Sequence, residues 1–279
     1  MTQRILITGA TGFVGRQVLR RLLEHDVLVT AVVRAGSEHR LKAHEKITSL
    51  VTSVDIFSEH ADWWAKTCQR TDLIIHCAWY AEPGQYLQAA VNLDCLRGTL
   101  DLAKGAATAK VRRFVGIGTC VEYDLSFGEL SVETPLRPLT AYAGAKAAAY
   151  LSLSQWLPTQ SMEFVWCRLF YLYGEGEDDR RLVPYLRKKL AAGGVAELTS
   201  GNQIRDFMDV RDAGRMIADV SLSDEVGATN ICSGIPVSVR QLSERIADEY
   251  GRRDLLRFGA RPENLTDPAR VVGLINGCL

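Results

Sequence analysis

Short apolar runs alternate along the chain with stretches whose apolar positions recur every three or four residues. The run at 4–8 predicts a buried strand. Over 12–24, Val14, Val18, Leu19 and Leu22 fall on one face of a predicted helix. Strands are predicted next at 27–33, 47–51 and 73–77. A long helix is predicted over 85–107, with Val91, Leu93, Leu96, Leu100 and Leu102 as its apolar set. A fifth strand at 114–117, a second long helix over 141–157 closed by Pro158, and a sixth strand at 164–169 complete the alternation. Strands that take turns with helices imply a parallel sheet covered on both faces, a doubly wound α/β fold of Rossmann type.

The rhythm breaks after Leu169. A polar, glycine-containing loop covers 173–179, a helix over 182–192 ends in Gly193-Gly194, and later come helices at 211–220 and 239–250 with a strand at 229–232. The expected division is a dinucleotide-binding domain of 1–168 with about 203–225, and a smaller, discontinuous C-terminal substrate-binding domain of 169–202 and 226–279. The length of 279 residues suits this. Lysine plus arginine and aspartate plus glutamate each number 33, and this balance argues against a nucleic-acid partner bound by phosphate neutralisation. No apolar run reaches the roughly 20 residues of a membrane helix, and Met1–Arg4 leads straight into a strand, so no membrane partner and a cytoplasmic place are expected. Seven cysteines without C-x-x-C spacing suggest reduced thiols and no zinc site. Cys120 stands out by its place, just beyond the fifth strand.

The most informative segment is Gly9-Ala10-Thr11-Gly12-Phe13-Val14-Gly15 after the first strand. Glycines here let bare N–H groups approach a pyrophosphate at a helix start. Dinucleotide folds usually place a carboxylate after the second strand to bind ribose hydroxyls. This chain has Arg34, with Ser37 and Arg40 nearby, and a guanidinium pairs with a 2′-phosphate. The expected cofactor is therefore NADP(H) in preference to NAD(H). By topology, Asp55 and Ile56 suit the adenine, and the strand end at Ala78 suits the nicotinamide.

Tyr142 and Lys146 stand four residues apart, hence on one face of the second long helix. A phenol has a pKa of about 10. A neighbouring ammonium is expected to lower it, so that the phenol can exchange a proton with a carbonyl or hydroxyl near neutral pH. Lys146 can also hold the nicotinamide ribose. Thr119, at the end of the fifth strand, would face the same crevice and orient a substrate oxygen.

Together the glycine pattern, Thr119, Tyr142 and Lys146 resemble an extended short-chain dehydrogenase/reductase of the nucleotide-sugar epimerase/dehydratase group. The segment 201–212, Gly-Asn-Gln-Ile-Arg-Asp-Phe-Met-Asp-Val-Arg-Asp, resembles that group's G-x-x-x-R-D-F-x-x-V-x-D signature. This implies that Arg205 holds a substrate diphosphate. Arg168 with Tyr173-Gly174 is similar to the R-x-x-x-x-Y-G segment, which implies a substrate contact for Arg168. Asn92 matches an asparagine common in the helix after the fourth strand and is expected near the cofactor. The resemblance also implies a homodimer through a four-helix interface.

Departures from the group narrow the chemistry. Its 4,6-dehydratases carry an Asp-Glu pair directly after the threonine, where this chain has Cys120 and Val121, so 4,6-dehydration is disfavoured. Glu122 is expected to be structural. Tyr171 replaces a substrate-binding asparagine of many epimerases, Ala145 a usual serine, and Glu175 a frequent proline. One hydride and one proton remain. The reading is NADPH-dependent reduction of the 4-keto group of a nucleotide-activated 4-keto-6-deoxyhexose in deoxysugar or polysaccharide biosynthesis. Trp79 and Tyr80 would pack on the sugar. The alternatives are an NAD-dependent nucleotide-sugar epimerase and a non-catalytic dinucleotide-sensing regulator.

Overall fold

Ile5, Leu6 and Ile7 are all buried in strand β1 (Gln3–Thr8), Ile5 and Ile7 in one core and Leu6 in the other. A strand covered on both faces needs no polar alternation, which explains the unbroken apolar run. Burying one such side chain contributes about 1.5–3 kcal/mol. The computed structural model describes residues 2–264 and 266–275. Cys278 lies outside the described residues.

The first half runs β1, α1 (Gly15–Leu22), β2 (Val27–Arg34), β3 (Ile47–Ser53), α2 (Ala61–Thr67), β4 (Leu73–His76), α3 (Val91–Thr108), β5 (Arg113–Thr119), β6 (Glu129–Leu130), α4 (Ala141–Thr159) and β7 (Glu163–Leu169). The second half runs β8 (Tyr171–Tyr173), α5 (Leu182–Ala191), β9 (Ala196–Glu197), β10 (Ile204–Asp209), α6 (Val210–Leu222), β11 (Gly227–Ile231), β12 (Pro236–Ser238), α7 (Val239–Glu249), β13 (Leu256–Arg257) and β14 (Arg270–Gly273). Seven parallel strands form the main sheet in the order β11-β7-β5-β4-β1-β2-β3. Helices α1 and α6 cover one face, with Val18, Leu22, Ala213 and Ile217 in its core. Helices α2, α3 and α4 cover the other, with Trp64, Leu102, Leu153 and Trp166. This is the Rossmann-type doubly wound fold. The chain moves outward from β1 in both directions, to β2 on one side and β4 on the other, so a crevice opens beyond the carboxyl ends of β1 and β4.

The smaller part has a sheet in the order β12-β10-β14-β6, with β8 on β10, a β9–β13 pair, and a core of Leu186, Leu190, Leu242 and Ile246. Four details differ from the sequence reading. Strand β11 pairs with β7 in the main sheet, although 226–279 was assigned to the smaller unit. Strand β10 pairs in the small sheet, although 203–225 was assigned to the larger one. The chain crosses twice here, and strand periodicity carries no information about which sheet a strand joins. Pro158 lies inside the last turn of α4 rather than closing it. Helix α3 begins at Val91, not near Gln85. The carbonyls of Tyr86 and Ala89 accept from the Asn92 side chain, and that of Leu87 accepts from the Tyr142 N–H, so this segment is used as a docking turn.

Candidate active site

The glycine turn closes onto β4. Gly9 has φ +71°, and a Cβ there would lie 2.7 Å from the Ala78 nitrogen, so only glycine fits at this approach. The Gly12 N–H donates to the Gly9 carbonyl at 2.9 Å. Helix α1 then starts at Gly15 after Val14, with no side chain capping its first N–H groups. The N–H groups of Arg16 and Gln17 are spent on the Gly12 and Val14 carbonyls, whereas those of Phe13, Val14 and Gly15 have no partner among the described residues; such donors at a turn into a helix fit a pyrophosphate, and this is the observation that supports a dinucleotide here. Thr11, Phe13 and Val14 are half-buried along the turn. The Thr11 carbonyl accepts from Arg40 at 3.2 Å and from Arg16 at 3.4 Å. Arg34 is exposed at the end of β2. Two guanidinium groups thus rest on the turn itself, and Arg16 is one that motif reading passed over. Asp55 is occupied as a turn cap, accepting from the Phe57 N–H and the Ser58 hydroxyl, and Ile56 follows it half-buried.

Beneath the turn, His76 ends β4. Its ring bonds Thr8 Oγ1 at 2.8 Å and Thr99 Oγ1 at 2.9 Å. Burial, with the Lys146 charge, lowers its pKa to about 3, so it is a neutral brace.

Thr119, Tyr142 and Lys146 come together at the carboxyl end of β5. Thr140 caps α4 through the Ala143 N–H, which sets Tyr142 in the first turn facing the strand end. The Lys146 ammonium donates to the Ile117 carbonyl at 2.5 Å and lies 3.7 Å over the Trp79 ring. Burial lowers its pKa to about 7 against the pull of Glu122. The expectation that this ammonium sharpens the phenol is corrected here. Burial is the dominant influence on Tyr142 and raises its pKa, Tyr86 and Glu122 push the same way, and only the Thr119 hydroxyl works against them. A half-buried phenol packed against the Tyr86 and Trp79 rings loses more from desolvation than a cation committed elsewhere returns. Tyr142 therefore stands as a neutral acid.

Trp79 is wedged among these groups. Its indole N–H donates to Asn92 Oδ1 at 2.9 Å and its ring meets Tyr142 edge-on at 6.4 Å. Asn92 is buried and spends its amide on Trp79, Tyr86 and Ala89, so it braces the turn around Trp79. Tyr80 donates to Gln85 across the same loop.

Arg168 also differs from its expected substrate role. It is 1% exposed and its Nε donates to Glu122 at 2.8 Å while Nη1 donates to the Tyr123 hydroxyl at 3.0 Å. A cation on β7 points down into the protein because a carboxylate with no access to water waits there. Glu122, expected to be structural, accepts as well from Trp166 and from the Thr119 N–H at 2.8 Å. The visible signal was the pair Gly116 and Gly118: a Cβ at either would collide with the Trp166 ring, and at Gly118 also with the Glu122 carboxylate. Arg205 is buried 2.7 Å from Asp267, an ion contact, and its guanidinium lies 5.2 Å from the Tyr171 ring. A substrate diphosphate at Arg205 would have to take the place of Asp267. Cys120 is buried, and burial raises its pKa to about 12, so it is a thiol without acid–base use near neutrality.

Among the described residues, six cysteines are free, no group of three His, Cys, Asp or Glu could hold a metal, and no helix is long and apolar enough to cross a membrane.

Comparison with known proteins agrees with this geometry. The chain is 26% identical over 274 residues to the dTDP-6-deoxy-L-talose 4-dehydrogenase (NAD(+)) of Aggregatibacter actinomycetemcomitans, covering 96% of this chain and 98% of that one. It is 26% identical over 272 residues to the GDP-6-deoxy-D-mannose reductase of Pseudomonas aeruginosa, covering 89% and 80%. Its fold matches the UDP-N-acetylglucosamine 4-epimerase of Methanobrevibacter ruminantium with a TM-score of 0.83 at 20% identity, over 99% of this chain and 91% of that one. It also matches the dTDP-glucose 4,6-dehydratase DesIV of Streptomyces venezuelae, solved with NAD, at 0.82 and 24% identity, over 98% and 88%. The family model described as the NAD dependent epimerase/dehydratase family matches residues 5–232, and the chain is a member of that family.

Proposed function

We propose that this enzyme reduces the 4-keto group of a nucleotide-activated 4-keto-6-deoxyhexose, with NADPH preferred over NADH. One observation carries the reading. The strand end after Thr119 holds a buried thiol and a valine where elimination chemistry needs an acid and a base, while a neutral phenol stands ready beside it. One hydride and one proton are what such a site can manage.

The glycine turn, with Gly9, Thr11, Gly12, Phe13, Val14 and Gly15, would hold the pyrophosphate, and Ala78 would lie beside the nicotinamide. Asp55 and Ile56 would flank the adenine. When bound, the reduced nicotinamide supplies a hydride. Tyr142 donates its phenolic proton to the forming alkoxide. Thr119 holds that oxygen. Its Oγ1 accepts, weakly, from the Val121 N–H at 3.5 Å, and its own O–H, bonded to the Tyr142 phenol, would be shared with the substrate oxygen. Lys146, with an affinity for protons centred near neutrality, can resupply Tyr142. Trp79, Tyr80 and Tyr171 supply apolar area for the sugar, and Arg205 the charge for its diphosphate. Arg34, with Arg16 and Arg40 on the turn, supports the phosphorylated cofactor. The two long helices α3 and α4 would form a homodimer interface.

The test is a panel of nucleotide 4-keto-6-deoxy sugars with NADPH or NADH, followed by mass and stereochemical analysis of the products. Cofactor oxidation with gain of two hydrogens is expected. A second reading, an NAD-dependent epimerase, draws on the fold likeness to the 4-epimerase. Purified protein that retains stoichiometric NAD and interconverts sugars without net reduction would replace the first reading with the second.

A further inference from the structure

We propose that Glu122 is a positioning residue: from behind the end of β5 its carboxylate fixes the Thr119 backbone and directs buried negative charge at the Tyr142–Lys146 pair, which sets the site to give a proton rather than take one. The inference rests on the reading of this site as a proton donor.

The geometry is specific. Glu122 is fully buried. One carboxylate oxygen accepts the Thr119 N–H at 2.8 Å, and the Thr119 hydroxyl accepts back from the turn, a reciprocal capping box. This box anchors the backbone and one lone pair of Thr119 together, and leaves the hydroxyl proton for the Tyr142 side. The same carboxylate accepts from Trp166 Nε1 at 3.1 Å and Arg168 Nε at 2.8 Å. The Trp166 ring in turn lies 5.8 Å from the Lys146 ammonium, so one indole separates carboxylate from cation. Gly118 leaves the room that this stack needs.

The charges around each group agree in direction. Facing Lys146 are Glu122 and the thiols of Cys77 and Cys95, and Glu122 is the largest of the influences that favour its charged form. His76, neutral, gains nothing from that cation. Facing Tyr142 are Tyr86, Glu122, Thr119 and Cys120, and Glu122 disfavours the phenolate. Arg168 balances this carboxylate and is itself held by Tyr123. Glu122, and not Arg168, is among the groups that act on Lys146 and Tyr142, so the negative member of the ion pair is the one that the proton donors sense. Both donors keep their protons more firmly for it.

The test separates charge from structure. Glu122→Gln alone would strand the Arg168 cation in the interior. The variant for measurement is therefore Glu122→Gln with Arg168→Met, compared with the native chain in the absence of substrate. Lys146 is followed by carbon-13 lysine NMR, its resonance assigned with Lys146→Met. We expect its titration to move down by about one unit, a roughly tenfold loss of proton affinity. The basic limb of the reduction rate against pH should move the same way. A folded variant whose Lys146 midpoint is unchanged overturns the proposal. If the double variant does not fold, Glu122→Asp decides through hydrogen exchange. Loss of protection at the Thr119 amide supports the positioning role, and native protection overturns it. Failure of the native enzyme to reduce any 4-keto sugar would reject the function above, yet would leave both NMR readouts valid.

Discussion

The Nζ of Lys146 sits 3.7 Å above the ring of Trp79. An ammonium there is stripped of water and repaid by one carbonyl and one aromatic face. The cost of desolvation exceeds that return, which is why burial lowers its pKa from 10.5 to about 7. The group that serves chemistry therefore weakens the fold.

Lys146→Met should raise stability while removing activity. Below the folded-state value of about 7 the native protein bears the full cost of the buried charge. Between about 7 and 10.5 the unfolded chain binds more protons than the folded one, so native stability rises with pH and the penalty is lost. The variant should gain about 1–3 kcal/mol near pH 7, and the gain should vanish as pH approaches 10.5. Thermal unfolding of both proteins across that interval measures it. A variant less stable at pH 7 would show that the carbonyl and the ring outweigh desolvation.

Tyr142→Phe tests the proton donor directly. Loss of a positioned general acid should lower turnover by about 10²–10⁴-fold. Dinucleotide affinity should stay within about twofold, because no contact of the glycine turn depends on the phenol. Since burial keeps the native phenol protonated beyond its ordinary range, the native rate should not fall as pH rises through the neutral region on account of Tyr142 itself. Equal turnover in the variant would remove Tyr142 from the mechanism.

The sequence exposes these features unequally, for physical reasons. Six of the seven strands of the main sheet are legible as runs such as Ile5–Ile7, whose burial on both faces leaves a plain apolar signal, while the place of β11 beside β7 is not. Thr119, Tyr142 and Lys146 are brought to one place because a strand end and a helix start obey fixed periods. Arg168 and Asn92 show where motif matching stops. Each stands at a familiar position, but its direction is set by partners the motif does not include, Glu122 from another segment for Arg168, and Trp79 and the turn carbonyls of Tyr86 and Ala89 for Asn92. The phenol was misjudged for a similar reason. Spacing reports which groups are near, whereas desolvation depends on everything packed around them.

Cofactor choice should be separable from catalysis. Arg40 rests on the Thr11 carbonyl, and Arg34 is exposed at the end of β2. A hydrogen bond to a charged group contributes about 1.5–3 kcal/mol. Replacing Arg34 and Arg40 with alanine should raise KM for NADPH by about tenfold or more and leave KM for NADH near its native value. Equal losses with both cofactors would place these side chains on the shared pyrophosphate or adenine instead.

Arg180 clasps two loops across the mouth of the crevice. It meets Glu82 at 2.6 Å and donates to the Pro83 carbonyl at 3.4 Å, while Asp178 on its own loop braces the guanidinium. One loop follows Ala78, beside which the proposed dinucleotide would lie, and the other follows β8, so the clasp is placed to slow its release. With Arg180 and Glu82 about half exposed, water and salt screen the pair and it adds little to stability. Its effect should appear in kinetics, because a contact made only in the closed arrangement slows opening without changing the fold. Glu82→Gln should therefore speed dinucleotide release by several-fold, followed by stopped-flow fluorescence, with little change in melting temperature. Exchanging the charges, Glu82→Arg with Arg180→Glu, should restore slow release only if the pair itself is the latch. Asp178 would repel the new carboxylate, so partial restoration is the expected result, and fast release in both variants would show that the loops part independently of this contact.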